Sequence, residues 1–294
     1  MGCDNISKSI VALITPFKNN QIDFDELKRI CKYHLENQTD GLLLLGTTAE
    51  AEALDDEEKK QLVNFVYKIV YPKIELIVGI IDNVTDKVIE QSKLFDGLDI
   101  KAFLVINPYY NKTNESGLLK HFTYIADNVV KPIIIYDVPK RTGMKIPFEV
   151  IRALSYHQNI IGIKEASSDI IDHLKLSTIA NENFKLYGGD DSLMLISLFL
   201  NSEGIISVIG NAFAKETSLI IHSFDKNVAI SKMMFYKLLP LILQMYGEVS
   251  PIGIKYVMYL LGFNTLEYRR PLDEPSRQLK RKLENEVLQL VSQD

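Results

Sequence analysis

Cysteine, histidine and surplus charge are all scarce in this 294-residue chain, and each scarcity closes a class of function. Two cysteines, Cys3 and Cys31, are too few for a disulfide framework or a four-ligand zinc site. The five histidines fall at no metal-ligand spacing, four of them (His121, His157, His173, His222) in segments that read as later helices and His34 in the first, so no metal is expected. Lys and Arg total 33 against 38 Asp and Glu, a net charge of −5 that excludes nucleic-acid binding by counterion release. There is no GK[ST] phosphate loop and no G-x-S-x-G elbow. The longest uncharged stretches, Leu238–Gly247 and Gly204–Ala214, are shorter than the ~18 apolar residues of a membrane span, so no membrane partner is expected. The opening MGCDNISKSI has no apolar core of a secretion signal. Its Gly2, Cys3 and Ser7 only faintly resemble a myristoylation signal, and a cytoplasmic location is the expectation.

What is present is alternation. With 47% apolar and 24% charged residues the chain has a globular composition. Eight short apolar, β-branched runs stand out: Ser9–Phe17, Gly41–Gly46, Ile74–Ile80, Lys101–Pro108, Pro132–Pro139, Ile160–Ala166, Phe184–Gly189 and Gly204–Gly210. Near-continuous apolar character is what strands covered on both faces look like. Between them lie amphipathic segments with helix punctuation. Asp23 and Asp55 precede two of them, and Thr85, Asn114, Pro147, Asp169, Asp191 and Ala214 open others. Eight strand–helix units predict an α/β fold, a (β/α)8 barrel over residues 1–226. An open doubly wound sheet is the alternative, but its Gly-rich loop is missing after the first strand, which ends in TPFKNN. Residues 227–294 read as three helices without a strand, Asn227–Gly247, Ser250–Gly262 and Glu274–Asp294: a helical appendage packed on the barrel.

In such a barrel, chemistry belongs where strands end. Lys164 lies in the apolar run IIGIKEA, and burial there disfavours the ammonium form and frees a nucleophilic amine for imine chemistry. The alternative is a strand-end lysine paired with Glu165. Tyr136 closes IIIY on the preceding strand and could relay protons, or be a core tyrosine with a satisfied hydroxyl. Arg141 suits a carboxylate fork, and Gly46–Thr47–Thr48 a small anion nest. Asp190 and Asp191 could hold Mg²⁺, but carboxylates opening a helix are more often caps.

Five motifs in order extend this reading. GTTAE at 46–50, PYYN at 108–111, YDVPKRTG at 136–143, GIKEAS at 162–167 and GGDD at 188–191 make the chain resemble the dihydrodipicolinate synthase family. That family belongs to the pyruvate-dependent class I aldolases, with N-acetylneuraminate lyase as a sister. The resemblance implies that Lys164 forms an imine with pyruvate and that the enamine condenses with L-aspartate 4-semialdehyde, with no cofactor. It further implies Tyr136 as proton shuttle, Thr47 bridging it to Tyr110, and Tyr110 reaching across a dimer interface of a homotetramer. Thr48, Arg141, Gly189 and Ile206 become substrate-binding positions. A sugar-acid aldolase and a non-catalytic keto-acid binder are the competing readings. Arg141 and Tyr110 argue against the first, and Lys164, Tyr136 and Thr47 together argue against the second.

Two departures from the family pattern set expectations of their own. Ala49 replaces a glycine and would be strained if its φ were positive, and Asp137 replaces an asparagine, adding a charge beside Tyr136. Lys59 and Lys87 stand where the family's lysine-feedback site has histidine and glutamate, so inhibition by L-lysine is expected to be weak or absent.

Overall fold

The apolar runs close on themselves. The structure, a computed structural model, describes residues 8–292. Its barrel strands are β1 (Ser9–Ala12), β2 (Gly41–Leu44), β3 (Glu75–Ile80), β4 (Ala102–Ile106), β5 (Ile133–Asp137), β6 (Ile160–Glu165), β7 (Lys185–Gly188) and β8 (Gly204–Ser207). Each pairs in parallel with the next, and β8 returns to β1 with Ile10 opposite Ile206, giving a closed eight-stranded barrel. The strands are shorter than the apolar runs that announced them. After β1, for example, Leu13, Ile14 and Thr15 stay buried; the Leu13 N–H still reaches the Leu43 carbonyl at 3.0 Å, but the Ile14 N–H is satisfied by the Asn211 side chain at 3.0 Å.

Between strands run α1 (Phe24–Glu36), α2 (Asp56–Val70), α3 (Thr85–Ser92), α4 (Glu115–Asn128), α5 (Phe148–Leu154), α6 (Ile170–Ser177), α7 (Met194–Phe199) and α8 (Ala214–Ser223). Asp23, Asp55, Asn114 and Asp169 cap their helices through the side chain, satisfying N–H groups that have no acceptor in the first turn. Asp55 and Glu58 complete a capping box. Two expectations need correction. His157 lies in the turn after α5, not in a helix, and contacts Asp127. Asp191 opens only a short 3-10 turn; Asp190 caps that turn, and the Asp191 carboxyl points inward.

Past α8 come α9 (Val228–Met245), α10 (Ile252–Leu260) and α11 (Arg277–Val291). α9 is long and apolar enough to cross a membrane by length and composition, unlike the uncharged stretches read from the sequence, because only Lys232 and Lys237 interrupt it. It buries Phe235, Leu238, Leu241, Ile242 and Met245. α11 buries Leu279, Leu283, Val287 and Leu290 at helical spacing. The expected end of the last helix at Asp294, and the Gly2, Cys3 and Ser7 reading, lie outside the described residues. The segment joining α9 to α10 passes over the C-terminal mouth of the barrel.

Candidate active site

Strand register decides what meets at the barrel mouth. Tyr136 on β5 is directly opposite Lys164 on β6, so both side chains point to the same, inner face. The Lys164 Nζ sits over the Tyr136 ring, 4.4 Å from its centroid. Lys164 is 5% exposed and, among the described residues, makes no ion pair. Burial pulls its ammonium from 10.5 down to about 8; Arg141 pushes the same way and Asp191 opposes both. At pH 7 about one such side chain in ten is a neutral amine, against about three in ten thousand for an ordinary lysine. Gly189 leaves the room this needs, since a Cβ there would lie 2.9 Å from the Lys164 Cε.

Tyr136 is held from the neighbouring loop. The chain leaves β2 through Gly46 into a 3-10 turn, Thr47–Ala49, and the Thr47 side chain hydrogen-bonds the Tyr136 phenol. Burial raises that phenol above its usual value, against the Thr47 bond and the Arg141 charge, which lower it. Thr48 is buried beside Thr47. Ala49 carries no strain: the left-handed positions here are Leu45 and Glu50, both at φ 54°, so the methyl group is accommodated.

Arg141 rides on a single helical turn, Pro139–Thr142, shaped by Pro139 at its first position and by left-handed Gly143 at its end. Its guanidinium donates to the Ser250 carbonyl at 2.6 Å, tying the loop to the segment between α9 and α10. These groups line a cavity of about 610 Å³ with Lys164 and Tyr136 at its floor and Leu243, Tyr246 and Ser250 along one wall. A second cavity of about 300 Å³ adjoins it through Thr47 and Arg141, and is lined further by Ile106, Tyr109 and Arg269.

The structure thus gathers Lys164, Tyr136, Thr47, Thr48, Arg141 and Gly189 around one cavity. Two expected residues stand apart. Tyr110 is 94% exposed with φ 64° and does not line the cavity of its own chain. Ile206 is buried inside β8, and Val208, two residues on, lines the cavity in its place. Asp137 also departs from expectation. Alternation along β5 sends it to the outer face, opposite Glu165, where burial lifts its carboxyl to about 7 and that of Glu165 to about 8. Its charge is thus partial and on the outer face, though it still raises the Tyr136 phenol.

Two residues contribute in ways the sequence did not show. Asp191 is buried behind the cavity and accepts from the Val208 and Ile209 N–H groups and from the Tyr246 hydroxyl at 3.0, 2.9 and 3.0 Å. Tyr246 comes from the end of α9, and only the fold brings it to a residue 55 positions away. Among the described residues no group of three His, Cys, Asp or Glu is placed to hold a metal ion.

Residues 5–290 match the model of the dihydrodipicolinate synthetase family. The chain belongs to that family. Family members named 4-hydroxy-tetrahydrodipicolinate synthase include one from Alkaliphilus oremlandii, 36% identical over 280 residues (94% of this chain, 96% of the relative), and one from Clostridium perfringens, 36% identical over 267 residues (90% and 92%). Among solved family structures, dihydrodipicolinate synthase from Thermotoga maritima superposes with a TM-score of 0.94 at 32% identity, covering 98% of this chain and 99% of that one. The enzyme from Cyanidioschyzon merolae, solved with lysine bound, gives 0.92 at 28% identity, covering 97% and 98%.

Proposed function

We propose that this chain is a 4-hydroxy-tetrahydrodipicolinate synthase, a lyase that joins pyruvate to L-aspartate 4-semialdehyde in lysine and diaminopimelate biosynthesis. The observation that carries the reading is one buried, unpaired lysine with a depressed amine, stacked on a tyrosine at the floor of a cavity edged by an arginine. The neutral Lys164 amine attacks the pyruvate ketone, and the carbinolamine loses water to give an imine. Loss of a C3 proton yields the enamine, whose carbon attacks the semialdehyde's aldehyde. The semialdehyde's own amine then attacks the imine carbon, closes the ring and expels Lys164 unchanged. The lysine is the electron sink, so the reading needs no cofactor. Tyr136 shuttles protons with Thr47 fixing its hydroxyl; Thr47, Thr48 and Gly189 surround the pyruvate carboxylate; Arg141 takes the semialdehyde's carboxylate. In this scheme residues 1–226 supply the chemistry and residues 227–294 one wall of the cavity.

The exposure of Tyr110 supports a dimer in which each protomer lends that ring to its partner, and the smaller cavity beside Thr47 has the size to receive it. Ile170, Ile171 and Leu174 on α6 are about half exposed and offer an apolar surface for pairing such dimers into a homotetramer in the cytoplasm. Incubation with pyruvate and borohydride tests the chemistry. One reduced three-carbon unit is expected on Lys164; label on another peptide, or none, would overturn the reading.

Feedback by L-lysine is expected to be weak or absent. Lys59 lies against Glu52 and Asp56 and offsets the acidic charge that a cationic amino acid would seek, and Lys87 is exposed in the first turn of α3. The assay is turnover with added L-lysine, and half-inhibition below about 1 mM would contradict it.

A further inference from the structure

We propose that Lys255 and Glu50 are positioning residues for the keto-acid site: a buried ion pair by which the C-terminal helices hold the Gly46–Glu50 turn in its working shape. The pair lies outside the cavity floor and bonds to neither Lys164 nor Tyr136. Lys255, on α10, is completely buried, and its Nζ donates to Glu50 at 2.6 Å and to the carbonyls of Glu267 and Thr15 at 2.6 and 3.1 Å. The rings of Phe17 and Tyr268 lie 4.7 and 4.8 Å from the same ammonium, so every side of it is occupied. Glu50 uses its other carboxylate oxygen to accept the Arg269 N–H at 2.9 Å. One further bond fastens the same turn, from the Thr15 hydroxyl to the Ala49 carbonyl at 2.7 Å, and the Arg269 guanidinium holds the next turn, Ala51–Ala53, by donating to the Ala53 carbonyl at 2.8 Å.

Glu50 is where the turn is conformationally demanding, because its backbone is left-handed and a side chain with a Cβ rarely settles there unaided. Three residues back is Thr47, whose hydroxyl orients Tyr136. A charge this deep is costly unless its partner is fixed, so Lys255 and Glu50 specify each other's place and with it the place of Thr47 and Thr48. Neither residue lines the cavity that holds Lys164, and Glu50 only borders the smaller one beside it. Loss of the pair should therefore appear first as weaker keto-acid binding.

This inference rests on the pyruvate reading, and one titration separates the two. Wild-type protein and the Glu50→Gln and Lys255→Met variants are trapped with borohydride over a range of pyruvate concentrations. The fraction labelled is read by mass, and Tm is measured on the same samples. Failure to label the wild type would refute the pyruvate reading itself. With wild type labelled, the expected result for Glu50→Gln is a rise of about tenfold or more in half-saturating pyruvate, full labelling at saturation, and an unchanged KM for the semialdehyde. Lys255→Met should match it where that variant folds, and Glu50→Gln carries the test alone where it does not. Leu283→Ala, in the buried face of α11, is the control for mere destabilisation: its Tm should fall with half-saturation unmoved. Half-saturation within twofold of wild type in Glu50→Gln, or an equal rise in Leu283→Ala, would overturn the inference.

Discussion

Lys164 and Lys255 are both buried lysines stacked on aromatic rings, yet their surroundings differ in one respect that decides what each can do. Lys255 has a carboxylate at 2.6 Å and two carbonyls around its ammonium, so its charge is answered on the spot. Lys164 has a tyrosine ring at 4.4 Å, an arginine pushing it toward neutrality, and its nearest opposing carboxyl, Asp191, occupied by three other donors. Burial with a counterion makes a strut, and burial without one makes a nucleophile. Asp137 and Glu165 extend the comparison to the opposite sign. Strand alternation places them one residue beyond Tyr136 and Lys164 on the outer face, where the same desolvation pushes carboxyls up to about 7 and 8.

The sharpest contrast comes from truncating each lysine. Lys164→Ala should lower turnover by at least ~10⁴-fold while leaving Tm unchanged or higher, since an unpaired buried amine is removed. Lys255→Ala should instead cost about 3–5 kcal/mol by stranding Glu50, read as a large fall in Tm or failure to fold. Equal stability losses would erase the distinction. In the wild type, the rate of imine formation should climb from pH 6 and level off above the Lys164 value of about 8, because only the neutral amine attacks.

Tyr136→Phe keeps the ring under Lys164 and removes only the hydroxyl, so kcat should fall by ~10²–10⁴ with pyruvate trapping preserved. Nearly full kcat would make Tyr136 a packing residue. Arg141→Ala should act more mildly, raising KM for the semialdehyde about tenfold with less effect on kcat. A kcat loss as large as that of Tyr136→Phe would place Arg141 in proton transfer or in holding the cavity rim through Ser250.

The smallest expected effect falls on the outer face. The Asp137 carboxyl is raised in the fold, so the folded state retains a proton that the unfolded chain gives up. The cost of ionising it is absent below about pH 4, grows as pH rises, and is complete above about 7. Asp137→Asn keeps an acceptor for the Ile146 N–H and removes that cost, and should stabilise by about 1–2 kcal/mol at pH 8. The corresponding gain is about 2–8 °C in Tm, vanishing toward pH 4. A gain that did not depend on pH would mean that Asp137 is not the titrating group.

Much of this was legible in the chain. Apolar runs located all eight strands, and Lys164 and Tyr136 stood out because charge and phenol are conspicuous in runs of isoleucine. What escaped was parity and distance. Asp137 was read as a neighbour of Tyr136 because adjacency in sequence resembles adjacency in space, whereas a strand sends consecutive side chains to opposite faces. Glu50 and Lys255 are 205 residues apart and Asp191 and Tyr246 are 55 apart, and no local pattern announces either meeting. Ala49 was a possible strain point until the backbone showed the left-handed residue to be the next one, Glu50.

The seam between β1 and β8 has a consequence for how the molecule comes into being. Ser9 finds its partner only in Ile205, so a chain growing from the ribosome cannot close its cylinder until nearly two hundred residues have followed its first strand. At ~5–20 residues per second that interval is about 10–40 s, during which β1 presents one row of amides and carbonyls with no neighbour. Four residues make a short exposed edge, and brevity is one way such edges avoid recruiting strangers. The wall carrying Tyr246 and Ser250 emerges later still. Catalytic competence is therefore among the last properties the nascent chain acquires, after the cylinder that supports it has shut.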